Sequence, residues 1–281
     1  MDPDISLGQI EDDKNYNFTK KYDEEGDIFN SHSCKYFEIY EMKRNFLNMT
    51  NNFSTYSHNV RSLNGHWDNI LDIIYSADPI KFSVLAFQEI WSIPKTFSIP
   101  GYSKFGGGVG FFIDEKYPDY EILAEESVFI PHVYESIWVK IKMKNSPDKI
   151  IGNIYRPNTA PLANLERAIE IHNQIIEKIL SNIDHKKCDI QILTDFNINM
   201  LNFDTHGLTN DYINSLISKS FLPIINLPTR IKYQSATLID HIWTNKVCSS
   251  YNSGILINSL SDHFPVFYFE EGLYLIELQE K

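Results

Sequence analysis

Short apolar runs recur along this chain at strand length, and one long stretch breaks the rhythm. From Ser136 to Met143 the two parities separate: Ile137, Val139, Ile141 and Met143 on one, Ser136, Trp138, Lys140 and Lys142 on the other. That two-residue period predicts a half-buried strand. Asn145-Ser146-Pro147-Asp148 has turn composition, so Lys149–Tyr155 is expected to fold back beside it. Ser83–Gln88 is a continuous apolar run of the kind found in buried strands, and Gly108–Ile113 is a strand entered through a triple-glycine turn. Further strands are expected at Phe53–Asn59, Ile190–Thr194, near Ile224, and at Ile239–Thr244, Ile255–Leu260 and Pro265–Phe269. Between Pro161 and Leu180 the period lengthens. Leu165, Ile169, His172, Ile176 and Ile179 fall at three- and four-residue steps, which predicts one long amphipathic helix. Shorter helices are expected near Glu38–Leu47, Trp67–Tyr75 and Asp211–Ser220. Strands outnumber helices, and helices interrupt them. The class is therefore α/β, with two sheets packed face to face and helices outside. No internal repeat at a fixed spacing is visible.

Charge divides the chain. Residues 1–30 hold nine acidic and three basic side chains, which accounts for half of the net charge of −12. With so little apolar content they read as a disordered tail. The expected organisation is an acidic extension over 1–52 with a short helix, a main domain over 53–270 and a tail over 271–281. An apolar fraction of 43% is ample for the core of that domain. The acidic balance counts against tight non-specific DNA binding, although a local basic rim and a bound cation would still permit a DNA groove.

No run reaches the roughly eighteen apolar residues of a membrane span, and the acidic start is unlike a signal peptide. Cys34, Cys188 and Cys248 form no Cys-x-x-Cys pair and are read as free thiols in a reducing, intracellular compartment. On that reading the glycosylation-like sequons at Asn17, Asn48 and Asn52 are accidental.

Several polar groups stand at the ends of apolar runs, where a strand delivers side chains to a site. Glu89 follows Val-Leu-Ala-Phe-Gln; a carboxylate there needs a cation, hydrogen bonds or water. Asp195 and Asn197 flank Phe196, so on extended backbone they point the same way, and an Asx-type turn is the bland alternative. Asp240 and His263 form a candidate Asp–His pair, in which the carboxylate sets the imidazole tautomer and raises its basicity. His241 is read as structural. Gly106-Gly107-Gly108-Val109-Gly110 lacks a following Gly-Lys-Ser/Thr, so it is a turn and not a phosphate-binding loop.

Eight segments in order carry a family resemblance over about residues 53–270. They are His58-Asn59-Val60-Arg61-Ser62-Leu63, Leu85-Ala86-Phe87-Gln88-Glu89-Ile90-Trp91, Gly106-Gly107-Gly108-Val109-Gly110 and Ile154-Tyr155-Arg156-Pro157. Thr194-Asp195-Phe196-Asn197-Ile198-Asn199, Leu227-Pro228-Thr229-Arg230, Thr237-Leu238-Ile239-Asp240-His241-Ile242 and Ser261-Asp262-His263 complete the set. Each is weak alone; their shared order is specific. The chain resembles the endonuclease/exonuclease/phosphatase superfamily, and most of all the endonuclease domain of LINE-type non-LTR retrotransposons. The resemblance implies a four-layer α/β sandwich of two mainly antiparallel sheets with helices on the outer faces.

It also implies roles. Glu89 would be the principal Mg2+ ligand, with Asn59 and Asp262 beside the metal and Mn2+ as the alternative ion. Asp195 would orient or deprotonate the attacking water, and Asn197 would hold the phosphate or Asp195. Asp240 and protonated His263 would stabilise the transition state, and Tyr155 would donate to a phosphate oxygen. Arg61, Arg156, Thr229, Arg230 and Ser261 would contact or position the substrate. Two departures stand out. Thr194 replaces the family's usual Gly, which would strain a turn needing positive φ. Only Ser103, Lys104 and Phe105 separate Pro100-Gly101-Tyr102 from the glycine run, a shortened loop.

The expected function is Mg2+-dependent hydrolysis of DNA phosphodiesters to 3′-OH and 5′-phosphate. In an intact element the nick would prime a reverse transcriptase, a domain expected to be absent from this chain. Nuclear action is implied, without a clear import run. The alternatives are an abasic-site nuclease, a lipid or other phosphoester phosphodiesterase, or a catalytically silent relic.

Overall fold

The apolar runs pair into two seven-stranded sheets. The computed structural model describes residues 34–91, 98–100, 102–106, 108–158, 162–182, 188–232, 235–246 and 251–271. In chain order the strands are β1 Lys35–Phe37, β2 Ser54–Asn59, β3 Val84–Gln88, β4 Tyr102–Gly106, β5 Gly110–Asp114 and β6 Tyr120–Ile122. They continue with β7 Phe129–Ile130, β8 Tyr134–Ile141, β9 Asp148–Tyr155, β10 Cys188–Asp195 and β11 Leu222–Pro223. The last five are β12 Arg230–Lys232, β13 Ser235–Thr237, β14 Asp240–Thr244, β15 Tyr251–Leu256 and β16 Val266–Glu270. Four α-helices are described: α1 Ile39–Phe46, α2 Leu63–Ser76, α3 Leu162–Asn182 and α4 Gly207–Ile217.

The first sheet runs β1-β15-β16-β2-β3-β5-β4 and the second β11-β14-β10-β9-β8-β6, with β7 on β8; a separate ribbon joins β12 to β13. Most neighbours are antiparallel; β1 with β15, β2 with β3 and β9 with β10 are parallel. This is the expected sandwich. Side chains of alternate parity on β2, β3, β9 and β10 meet between the sheets. Thr55 Oγ1 donates to Gln191 Oε1 at 3.1 Å, and Gln88 Nε2 to Asn153 Oδ1 at 2.7 Å. Opposite-parity side chains face the helices. Tyr56, Phe87, Phe112, Phe267 and Phe269 pack in one cluster with Met42 and Phe46 of α1 and Leu63 and Ile70 of α2. Ile190, Ile192 and Trp138 pack in another with Ile169, Ile176 and Ile179 of α3 and Ile213 of α4.

Two expectations change here. The half-buried strand is covered on both faces: Trp138 and Val139, of opposite parity, are both fully buried. Helices roof the Trp138 face, and a methyl group at Gly152, its cross-strand partner, would lie 2.6 Å from the indole ring. Residues 34–52 are not a loose extension. β1 adds an edge strand beside β15, and Phe37 and Phe46 pack on Phe267 at centroid distances of 5.6 Å. The acidic segment 1–30 and Cys248 lie outside the described residues. Cys34 and Cys188 are buried. No helix among the described residues is long and apolar enough to cross a membrane.

Candidate active site

One ladder row crosses five strands of the second sheet. Phe129 of β7 is paired with Glu135 of β8, Glu135 with Tyr155 of β9, Tyr155 with Asp195 of β10, and Asp195 with Asp240 of β14. Residues directly opposite in a ladder project from the same face. Polar side chains distant in sequence thus stand side by side, a strand spacing of about 4.8 Å apart, at the end of the inter-sheet face.

The first sheet supplies the complement. Asn59, at the end of β2, donates through Nδ2 to Asp195 Oδ2 at 2.7 Å and to Glu89 Oε1 at 2.8 Å. Tyr155 donates to the same Glu89 oxygen at 2.9 Å. Gln88 points between the sheets, so strict alternation would turn Glu89 away. Glu89 instead takes a left-handed φ of 52°, which swings its carboxylate back to Asn59 and Tyr155. A non-glycine residue in that region stores local strain, and such residues cluster at functional sites.

The loop after β10 is an Asx-type turn. Asp195 Oδ1 accepts from Asn197 N at 3.1 Å, and Asn197 has φ 51°. Its side chain donates to Arg156 O at 2.8 Å rather than to Asp195. Arg156 is buried. Its guanidinium donates to the carbonyls of Phe196 at 2.6 Å, Pro157 at 3.0 Å and Asn197 at 2.9 Å. The structure therefore gives the Arg156 guanidinium to the backbone of the loop after β10, away from the phosphate contact expected of it. Thr194 lies in regular strand with its side chain on the helix-facing parity and has no positive φ. The missing glycine costs no turn strain, because the left-handed residue is Asn197.

His263 Nδ1 lies 3.0 and 3.1 Å from the two oxygens of Asp240 and 3.7 Å from Asp195 Oδ2. Thr229 is buried. Its hydroxyl donates to Asp240 Oδ2 at 2.6 Å while accepting from the amides of Ile239 and Asp240. Ser261 Oγ contacts Asn59 O at 2.9 Å and His263 O at 3.0 Å and accepts from His263 N. Both hydroxyls are therefore engaged in positioning. Asp262, expected near a metal, is held by arginines. Arg230 reaches Oδ2 through Nε at 2.7 Å and Nη2 at 2.6 Å, and Arg61 forms an ion pair with Oδ1 at 2.9 Å.

Charge inside the site is unbalanced. Glu89, Asp195 and Asp240 converge, and the buried positive groups that oppose them among the described residues are the His263 imidazole and the Arg156 guanidinium, which is turned to backbone carbonyls. Burial, then Asp240, pushes the Asp195 carboxyl up to about 7. Burial works against protonation of His263, but Asp240 and Asp195 outweigh it and raise the ring to about 9. Asp240 is also resisted by burial, yet the His263 imidazolium and its hydrogen bond hold it below the usual carboxylate range. Asp195, Asp240 and His263 each offer a ligand atom within 4.8 Å of the others. Oxygen donors with excess negative charge and no thiolate suit a hard divalent cation. The residues present fit such an ion.

Two residues escaped the sequence reading. Burial and then Glu89 raise the Glu135 carboxyl, which joins the row only through strand register. His58 has one ring nitrogen 3.1 Å from His263 O and the other 3.2 Å from Tyr56 Oη, and burial depresses its basicity to about 3. Its adjacency to Asn59 was the available signal.

The architecture has solved counterparts. The endonuclease domain of TRAS1, a telomere-specific non-LTR retrotransposon, is 12% identical over 79% of this chain and 99% of that one, with a TM-score of 0.54. The AP endonuclease LMAP from Leishmania major is 11% identical over 78% and 88%, with a TM-score of 0.60. This chain has the endonuclease/exonuclease/phosphatase fold. A mannosyl-6-phosphatase from Bacteroides thetaiotaomicron shares it, 15% identical over 78% of this chain and all of that one, with a TM-score of 0.54. One fold thus carries nucleases and a sugar phosphatase, so the substrate has to be argued from the site. No protein-family model and no curated protein sequence matches the chain.

Proposed function

We propose that the protein is a divalent-cation-dependent phosphodiester hydrolase that nicks DNA, in the manner of a retrotransposon endonuclease. The observation that carries this reading is the convergence of Glu89, Asp195 and the Asp240–His263 pair, bridged by Asn59. Glu89 and Asp195 would hold the cation, Mg2+ or Mn2+. Bound there, it supplies positive charge against the phosphate oxygens.

The chain's own residues do the rest. Asn59 and Tyr155 fix the Glu89 carboxylate. Asp195, whose carboxyl is raised in the metal-free site, would be ionised once a cation is bound and would then accept a proton from the attacking water. Asn197 and Arg156 lock the loop that carries it. Asp240 occupies Nδ1 of His263, which leaves Nε2 of a ring protonated at neutral pH to donate to a phosphoryl oxygen as negative charge develops. The water oxygen bonds to phosphorus, the P–O3′ bond breaks, and the 3′ oxygen takes up a proton as 3′-OH. Arg61 and Arg230, paired on Asp262, lie at the rim for flanking phosphates.

The test is nicking of supercoiled plasmid with Mg2+ or EDTA, beside His263→Ala. Mg2+-dependent nicking lost in the variant supports the proposal. A folded protein that does not nick counts against it and points to a relic. The net charge of −12 favours a second reading, a hydrolase of small or lipid phosphoesters; turnover of such esters without plasmid nicking would select it.

A further inference from the structure

The ladder row does not end at the carboxylates. Its last member, Phe129, is paired with Glu135 on the catalytic face and is 66% exposed. By strand spacing it stands about 10 Å from Tyr155. A second aromatic leaves the site from the other sheet. Trp91, two residues beyond Glu89, is 71% exposed. Its backbone is held at a φ of 56°, a conformation rare for a bulky residue, and Ile90 N donates to Gly108 O at 3.0 Å beside it. The Gly108 strap is itself packed on the Glu135 carboxylate, since a methyl group at Gly108 would overlap it. Glu89, Gly108 and Glu135 therefore link the two aromatics to one rim. Single exposed apolar residues need no explanation. Two aromatics attached to the same carboxylate cluster do, more so when one is kept in a strained conformation.

On the hydrolase reading above, which this inference deepens, we infer that Trp91 and Phe129 are stacking surfaces for unpaired nucleobases flanking the scissile phosphate. The substrate class is nucleic acid with splayed bases beside the scissile phosphate: single strands, mismatches or the opened pairs of supercoiled DNA. Three physical points support this. An aromatic ring gains a base face only where the base has left its own stack. Stacking carries no charge requirement, so it suits a chain of net charge −12. The rim arginines, Arg61 and Arg230, already share Asp262, which weakens any purely ionic grip.

The experiment is anisotropy of a labelled oligo(dT) of about twelve nucleotides and of a matched duplex, titrated with the full chain in EDTA. Wild type, Trp91→Ala, Phe129→Ala and Trp91→Phe are compared, with circular dichroism to establish folding. The expected result is single-strand affinity about tenfold weaker in each alanine variant, retained in Trp91→Phe, with duplex binding unchanged. Equal single-strand affinity in all four proteins overturns the inference, as does a wild type that does not bind single strands. Plasmid nicking by the same preparations separates the two claims. Nicking with unchanged binding across the variants removes the stacking role and leaves the hydrolase. Aromatic-dependent binding without nicking removes the hydrolase and leaves the stacking.

Discussion

Asn59 and Asp195 belong to different sheets, yet Nδ2 of the first lies 2.7 Å from Oδ2 of the second. That hydrogen bond, with the one Asn59 makes to Glu89, stitches the sandwich together at the end that carries the candidate site. Both acceptors are carboxylates, and Asp195 is fully buried, so removing the amide leaves Asp195 Oδ2 without its donor, while Glu89 keeps Tyr155. Asn59→Ala should cost about 2 kcal/mol and most of the activity. Asn59→Asp should do more damage, because it adds a carboxylate to an already acidic cluster. Urea midpoints with and without Mg2+ check this: cation should restore more stability to Asn59→Asp than to wild type.

Above pH 6.5 the acid–base behaviour of the metal-free protein at this site follows from two groups with the same sign; below it, the buried His58, His172 and His241, whose basicity burial depresses, act in the opposite direction. His263 is raised from 6.5 to about 9, so its stabilising contribution is complete below pH 6.5 and disappears as pH rises through 9. Asp195 is raised from 3.8 to about 7, so ionising it in the folded state costs stability increasingly between those values. In both windows the folded state holds more protons. Above pH 6.5, metal-free wild type should therefore lose stability as pH rises. His263→Gln should flatten the upper part of that profile, measured by thermal melts in EDTA. A wild-type curve that rises above pH 7 would contradict the assignment.

Glu89→Ala should blunt the response to Mg2+ more than any other single change. In wild type, Mg2+ should raise the melting temperature and release protons at pH 6, since cation binding ionises Asp195. The variant should show little of either. An unchanged thermal-shift titration would place the cation elsewhere.

Thr229 acts through Asp240. Its hydroxyl donates to Oδ2 at 2.6 Å and accepts two backbone amides. Thr229→Val is expected to reduce kcat by about tenfold or more with KM little changed, and Thr229→Ser to restore it. A shared loss in both variants would argue for packing rather than the hydrogen bond.

Arg156 is a clamp on the Asp195 loop. Arg156→Lys keeps the charge but not the planar fork that reaches the Phe196, Pro157 and Asn197 carbonyls. It should lower stability by about 2 kcal/mol and leave Asn197 less fixed. Salt dependence of DNA binding should stay at the wild-type value, whereas a phosphate-contacting arginine would reduce it.

Much of this architecture is local, and local pattern was readable. The three- and four-residue spacing from Leu165 to Ile179 marked α3, and the polar ends of apolar runs marked Asn59, Glu89, Asp195, Asp240 and His263. What lay beyond the sequence depends on how separate strands meet. Register alone places Glu135 and Phe129 in line with Tyr155, Asp195 and Asp240. A covering helix layer, invisible in a two-residue period, turned the half-buried strand at Trp138 into one buried on both faces. Left-handed backbone at Glu89 and Asn197 decided where their side chains point, and alternation alone would have sent Glu89 the wrong way. The pairing of Asp262 with Arg61 and Arg230, and of Arg156 with three carbonyls, joins residues up to two hundred positions apart. Periodicity reports the backbone's own repeat, so the sequence determined the elements and which polar groups sit at their ends. Inter-strand register and the energetic need to pair every buried charge are set only when distant segments pack, so the tertiary structure decided which of those groups form the site.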